Sequence, residues 1–199
     1  MRSATSENDT RRRRRRRAQI LAIYTLIAIG LAWFFESQAT TTIIFVRHAE
    51  KAVDGGSDPG LSAAGRRRVA ELTRQLVDAD VVAGIDAIYV TQYKRTQETA
   101  RPLADALDLP VNHYDAADTE AVLETILKRH KGKIILVVGH SNTLPVLIAN
   151  LGASKKVPPI AEDEFDNIYV ISIPWFGKTK TIRLRFGEPF QAPEEPAES

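Results

Sequence analysis

Hydrophobic side chains are distributed along this chain in three regimes. From Ala18 to Phe35 the sequence AQILAIYTLIAIGLAWFF runs 18 residues without a charge, apolar all round rather than along one helical stripe. Beyond it, short β-branched runs alternate with longer stretches of helical period, the pattern of an α/β fold with a mostly parallel sheet and right-handed crossovers. The end is polar. Residues 188–199 read as a disordered acidic tail, since Gln191 to Ser199 hold three acids and two prolines.

The middle regime predicts strands at Thr42–Val46 (TIIFV), Ala87–Val90, Pro110–Tyr114 and Lys133–Val138 (KIILVV). Two more, Ile168–Ile173 and Thr181–Phe186, are joined through Trp175-Phe176-Gly177-Lys178 as a hairpin-like return. Between them lie four helices. The first is capped by Ser62 and carries Val69, Leu72, Leu76 and Val77 as its apolar face. The others span 96–107, 120–129 (stopped by Lys131-Gly132) and 144–151 (closed by Gly152). No repeat is visible, and residues 40–187 read as one domain.

As a helix rising about 1.5 Å per residue, Ala18–Phe35 spans about 27 Å, close to the ~30 Å hydrocarbon core of a bilayer. Trp33, Phe34 and Phe35 stand where an interfacial aromatic belt belongs, and Glu36 returns the chain to water. Arg11 to Arg17, seven consecutive arginines, form a positive-inside signal at the other end. Three readings of the run compete. A buried core helix lacks its amphipathic stripe, a cleaved signal peptide is supported by Ser37-Gln38-Ala39, and a retained anchor over residues 18–36 is favoured by length. Both export readings put residues 1–17 in the cytoplasm and the domain on the periplasmic or extracytoplasmic side, membrane-bound or free after cleavage at Ala39.

Charge has to be split accordingly. Of 27 basic and 25 acidic side chains, eight and two fall in residues 1–17, leaving 19 against 23 for the rest. The body is mildly acidic and has no second basic stripe with interleaved aromatics, so nucleic acid is not an expected partner. The absence of cysteine excludes a disulfide scaffold, a thiolate metal site and a cysteine nucleophile.

Candidate chemistry gathers where the predicted strands end, which is where open α/β sheets bind ligands. Arg47-His48-Ala49-Glu50 follows the first strand, Arg95 lies just beyond the second, and Gly139-His140-Ser141 follows KIILVV. Two of only four histidines thus meet two arginines. The set suits phosphoryl transfer. Guanidinium forks bind phosphoryl oxygens, a neutral imidazole on His48 is nucleophilic near pH 7, and His140 with the amides opening its helix would stabilise the transferring group. No convergent ligand set indicates a metal, and no cofactor is expected. His113 and His130 read as ordinary loop and helix-end residues, Arg66 to Arg68 as a solvated helix face.

Arg47-His48-Ala49-Glu50, Leu61-Ser62-x-x-Gly65, Arg95-Thr96-x-x-Thr99-Ala100 and Val138-Gly139-His140-Ser141 together resemble the signatures of the histidine phosphatase (phosphoglycerate mutase-like) superfamily, over roughly residues 42–186. The resemblance implies a three-layer α/β/α sandwich, His48 as the phosphorylated nucleophile, and Arg47, Arg95 and His140 completing the phosphate pocket. Two departures concern the general acid. Ser141 stands where one branch of the superfamily has its acidic donor, and His113–Glu120 lacks the longer Glu-bearing insert of the mutases. Asp115 and Asp118 are the candidates left, each equally suited to capping a helix or a turn. The expected activity is hydrolysis of a small-molecule or glycan phosphomonoester, with an envelope sugar phosphate as the class the location suggests. A protein phosphohistidine phosphatase is the alternative enzyme, and a silent phospholigand-binding module the alternative of another class. The oligomeric state is not encoded in any readable pattern.

Overall fold

The computed structural model describes residues 3–37, 40–53, 56–78, 84–154 and 156–191. Ala39, with its expected cleavage, and residues 192–199 of the expected tail lie outside them. The chain divides into two compact units at 39/40. The first is a single helix, α1 (Ser3–Ser37), within which Arg12–Phe34 is long and apolar enough to cross a membrane. Its apolar side chains from Ile20 to Trp33 are exposed within the unit.

The second unit runs β1 (Thr41–Arg47), α2 (Ala63–Asp78), β2 (Ala87–Thr91), α3 (Lys94–Leu107), β3 (Val111–Tyr114), α4 (Thr119–Arg129), β4 (Ile134–Gly139), α5 (Leu144–Asn150), β5 (Asn167–Ile173) and β6 (Lys180–Arg185). The strands form one sheet in the order β3-β2-β4-β1-β5-β6. The first four are mutually parallel, and β5 and β6 are antiparallel additions at one side. Helices α2 and α3 cover one face, packing Leu72, Leu76, Leu103 and Ala104 on Val46, Ile88, Val90 and Val138. Helices α4 and α5 cover the other, packing Val122, Ile126, Leu144 and Leu147 on Ile43, Phe45, Ile135 and Val137. This is the three-layer sandwich, and the continuous apolar runs of β1 and β4 reflect burial on both faces. Val77 differs from its expected place. It sits about 100° around α2 from Leu76, off the buried stripe, and stays exposed.

Two details of this fold prepare the site. Adjacent strands β1 and β4 send their following helices, α2 and α5, to opposite faces, so a crevice opens at their C-terminal ends. Helix α2 also presses its first turn on the chain leaving β1. Ser62 Oγ accepts from the Gly65 amide at 3.0 Å as an N-cap, and a Cβ on Gly65 would be driven into the Glu50 carbonyl oxygen. Gly65→Ala should therefore destabilise the domain by about 1–3 kcal/mol through overpacking, despite the ~1 kcal/mol that alanine gains over glycine inside a helix. A urea midpoint equal to or above that of the parent would contradict this.

Candidate active site

The register of β1 on β4 brings the two histidines together. Arg47 pairs with Gly139, and the His48 amide donates to the Gly139 carbonyl at 3.0 Å, so His48 and His140 emerge side by side. Their ring centroids lie 5.3 Å apart, edge to face. Both are nearly buried at the floor of a cleft of about 760 Å³, which Arg47, Arg95, Lys51, Ser141 and Asn142 also line.

His48 is held in one tautomer. Its Nδ1 lies 2.8 Å from the Ala49 carbonyl oxygen, which can only accept, so Nδ1 carries the proton and Nε2 keeps its lone pair. Ala49 is itself fixed, because its amide donates to Thr99 Oγ1 at 3.0 Å and Thr99 Oγ1 donates to the Arg95 carbonyl at 2.6 Å. Thr96, the other threonine of that helix turn, is wholly buried with its hydroxyl 2.9 Å from Thr91 Oγ1, which lies 3.1 Å from His140 Nε2. The two threonines of Arg95-Thr96-x-x-Thr99 thus each buttress one histidine. Burial is the main reason the imidazoles resist protonation, pushing His48 down to about 3 and His140 down to about 4, with the two arginines adding to the effect. Both rings are neutral at pH 7.

The arginines are anchored differently. Arg47 is buried, with its guanidinium 4.1 Å over the Phe165 ring, and Nη1 donates to the carbonyls of Ala161 (2.6 Å) and Glu164 (2.9 Å). Its Nε is buried without a partner among the described residues. Desolvation lowers the Arg47 pKa, and the nearby Glu162, Glu164 and Asp163 oppose that shift. Arg95 lies 4.4 Å over the Tyr93 ring and 3.8 Å from Asp58. That the loop before β5 holds Arg47 was not anticipated from the sequence. In it, Glu164 accepts from the Ala161 amide (3.2 Å), Asn167 Nδ2 (2.7 Å) and Arg185 Nη2 (3.3 Å), and Arg185 Nη1 donates to both carboxylate oxygens of fully buried Asp166 (2.6 and 2.7 Å). Its signal in the sequence is Glu164-Phe165-Asp166, two acids around an aromatic directly before an apolar strand.

Of the five residues expected at the site, Arg47, His48, Arg95 and His140 line the cleft and Asp115 does not. The Asp115 carboxylate accepts from the Ala117 amide at 2.9 Å, closing a turn, and Asp118 N-caps α4 through the Ala121 amide at 3.0 Å. The neighbours Ala116 and Ala117 do reach the cleft, as does an acid not anticipated, Glu162. The amides expected to open α5 toward a ligand are partly committed, because those of Thr143 and Leu144 donate to the His140 carbonyl. Residue 188 and beyond is not all tail either. The Phe190 amide donates to Asp166, and Arg68 donates to the Glu188 carbonyl.

Residues 43–118 match the family model described as the histidine phosphatase superfamily (branch 1). No curated protein sequence matches the chain significantly. Among solved structures it is similar to the protein histidine phosphatase SixA complexed with tungstate, with 20% identity, 72% of this chain and 96% of that one covered, and a TM-score of 0.58. It is also similar to a mycobacterial glucosyl-3-phosphoglycerate phosphatase in complex with inorganic phosphate (13% identity, 74% and 97% covered, TM-score 0.56). A third is a phosphoserine phosphatase from Entamoeba histolytica in complex with 3-phosphoglyceric acid (16% identity, 74% and 97% covered, TM-score 0.51). At these identities the likeness is one of fold.

The buried neutral histidines make stability depend on pH. Unfolded imidazoles titrate near 6.5, so between that value and the folded values the unfolded chain holds more protons and stability falls as pH drops. His48→Gln removes one such proton, and its stability should fall between pH 5.5 and 4.5 by about 1.4 kcal/mol less than the parent's. Urea unfolding at the two pH values measures the difference; parallel losses would mean that His48 protonates freely in the fold.

Proposed function

The chain belongs to the histidine phosphatase superfamily and is a phosphatase, and we propose that it hydrolyses phosphomonoesters through a phosphohistidine on His48. The observation that carries this reading is the His48 Nδ1–Ala49 carbonyl bond inside a buried, neutral imidazole, which leaves Nε2 as a nucleophile facing two guanidinium groups. In the first half-reaction Nε2 attacks phosphorus, the ester P–O bond breaks, and the leaving oxygen takes a proton. In the second, water attacks phospho-His48, gives up a proton, and inorganic phosphate departs. Arg47 and Arg95 neutralise the equatorial oxygens, and the unpartnered Arg47 Nε is a donor of the kind a phosphoryl oxygen needs. If Thr91 donates to His140 Nε2, His140 Nδ1 carries a proton that it can give as a hydrogen bond to a phosphoryl oxygen. These residues need no metal for either step.

Location is part of the proposal. We take residues 18–36 as a single-pass anchor in the cytoplasmic membrane, residues 1–17 as its cytoplasmic side, and residues 40–187 as the extracytoplasmic catalytic domain; cleavage after Ala39 would free that domain into the periplasm. The charge-free run of exposed apolar side chains from Ile20 to Phe34 of α1 and the arginine block support the anchor. Polar Ser57, Ser141 and Asn142 on the cleft suit a hydroxylated leaving group such as a sugar. A protein phosphohistidine substrate is the second reading, favoured because neither Asp115 nor Asp118 lines the cleft and a phosphoramidate needs less help from an acid.

Hydrolysis of an aryl phosphate should persist in chelator and fall more than about a thousandfold in His48→Ala, with labelled phosphate trapped on the parent chain and not on the variant. Loss of activity in chelator, or activity in His48→Ala, would remove the mechanism. The proton donor is read from leaving groups. Whichever of Glu162→Gln and Asp115→Asn removes the acid should slow an alkyl phosphate by about 10²-fold or more while changing an aryl phosphate far less. Equal effects on both esters would point to a binding role instead.

A further inference from the structure

The four side chains that meet in the cleft form two pairs, and each pair shares one aromatic ring. Phe165, from the loop before β5, lies 4.1 Å under the Arg47 guanidinium, and its ring centroid is 6.0 Å from that of His48. Tyr93, from the turn between β2 and α3, lies 4.4 Å under the Arg95 guanidinium. Its ring centroid is 5.3 Å from that of His140, at an interplanar angle of 88°.

The two arginines depend on their rings unequally. Without Phe165, Arg47 would still donate to the carbonyls of Ala161 and Glu164. Arg95 has no such support. Its side chain is only 18% exposed, yet among the described residues its N–H groups bond to no acceptor. The Asp58 carboxylate stands 3.8 Å away, beyond hydrogen-bond length, and accepts instead from the Lys94 amide at 3.2 and 3.3 Å. A guanidinium that keeps its donors for a phosphoryl group has to be held by something that takes none of them. A ring face does this, because its quadrupole attracts the charge.

The same ring steadies the histidine. Thr91 Oγ1 contacts His140 Nε2 and fixes one end of the imidazole, while the Tyr93 ring, meeting it at right angles, restrains its tilt. Tyr93 has no competing task in the helix. It occupies the N-cap position of α3, where serine, threonine, aspartate or asparagine would bond a free amide, and its side chain caps nothing. The position gives up a cap and gains a ring in contact with both Arg95 and His140.

We propose that Tyr93 is a positioning residue for the phosphoryl-binding pair, holding Arg95 and His140 in register through its ring rather than its hydroxyl. The inference rests on the reading of Arg95 and His140 as phosphoryl ligands and adds the side chain that sets their geometry.

The test uses the full-length protein in detergent, with kcat/KM for an aryl phosphate and the inhibition constant of inorganic phosphate as readouts. Tyr93→Phe should stay within about twofold of the parent in both, because the ring is kept. Tyr93→Leu should lower kcat/KM and weaken phosphate by about tenfold each, the size of a partly desolvated cation–π contact. In an Arg95→Ala background the same substitution should cost at least about threefold less in kcat/KM, since the cation it holds is gone. Where Tyr93→Leu fails to fold, Tyr93→Met removes the ring with the same expectations. Loss of the ring without effect, or with equal losses in both backgrounds, would overturn the inference, the second because a merely structural role acts regardless of Arg95. Tyr93→Phe as impaired as Tyr93→Leu would assign the effect to the hydroxyl. An unchanged phosphate constant beside a lower kcat/KM would make the ring a contact for the leaving group. Either result overturns positioning through the ring. Arg95→Ala without effect on either constant would remove the phosphoryl reading of Arg95 itself, and this inference with it.

Discussion

Keeping the His48 imidazole buried and uncharged, with one chosen nitrogen free, is the constraint to which most of the domain answers. The ring is desolvated between strands that are themselves buried on both faces, so its neutral form is held by the sandwich as a whole. Its tautomer is chosen by a single carbonyl, that of Ala49, and the position of Ala49 is set by a threonine of α3. That arrangement requires α2 and α3 to close on the chain leaving β1, which is why Gly65 meets the Glu50 backbone and Glu98 accepts from the Leu61 amide at 2.6 Å. A neutral imidazole with one free nitrogen asks little of chemistry and much of the structure that holds it.

The arginine beside it is governed by the far side of the sheet. A guanidinium has five donors, and directing some of them to a ligand requires the rest to be engaged by the protein. For Arg47 the engagement comes from two backbone carbonyls of the loop before β5 and from the face of Phe165. That loop keeps its shape through Glu164 and Asp166, which share Arg185 of β6. The antiparallel edge of the sheet, outside the segment matched by the family model, is thereby wired into the cleft. Arg185 itself is exposed, but removing it would strand the buried Asp166 carboxylate, which costs more than the pair contributes.

Much of the fold was legible along the chain. Strand positions followed from runs such as TIIFV and KIILVV, whose apolar character is continuous because both faces are covered. Element limits moved by a residue or two, as with α3 beginning at Lys94 rather than Thr96, where the hydroxyl of Thr96 turns back to the Tyr93 carbonyl. Among the residues proposed for phosphoryl transfer, Arg47, His48, Arg95 and His140 could be read because each stands at or just past a strand end, a location that periodicity reveals. The acids could not. Asp115 and Asp118 bear the same side chain in similar surroundings of sequence, and only the three-dimensional turn tells which amides they accept from. Glu162 escaped notice because loop residues carry no periodic signal of what they face.

By itself, then, the amino-acid order determined the class of sheet, the apolar helix with its arginine block, and the four residues Arg47, His48, Arg95 and His140 that meet in the cleft. All of these depend on local spacing, on side-chain chemistry or on hydrophobic period, and those are written in one dimension. Tertiary structure alone decided the antiparallel pairing of β5 on β1, the loop that clamps Arg47, and the displacement of the two aspartates from the cleft. Each of these is a relation between segments distant in sequence. Such relations are set by strand register and by which backbone groups remain to be paired, and neither quantity exists until the chain has closed on itself.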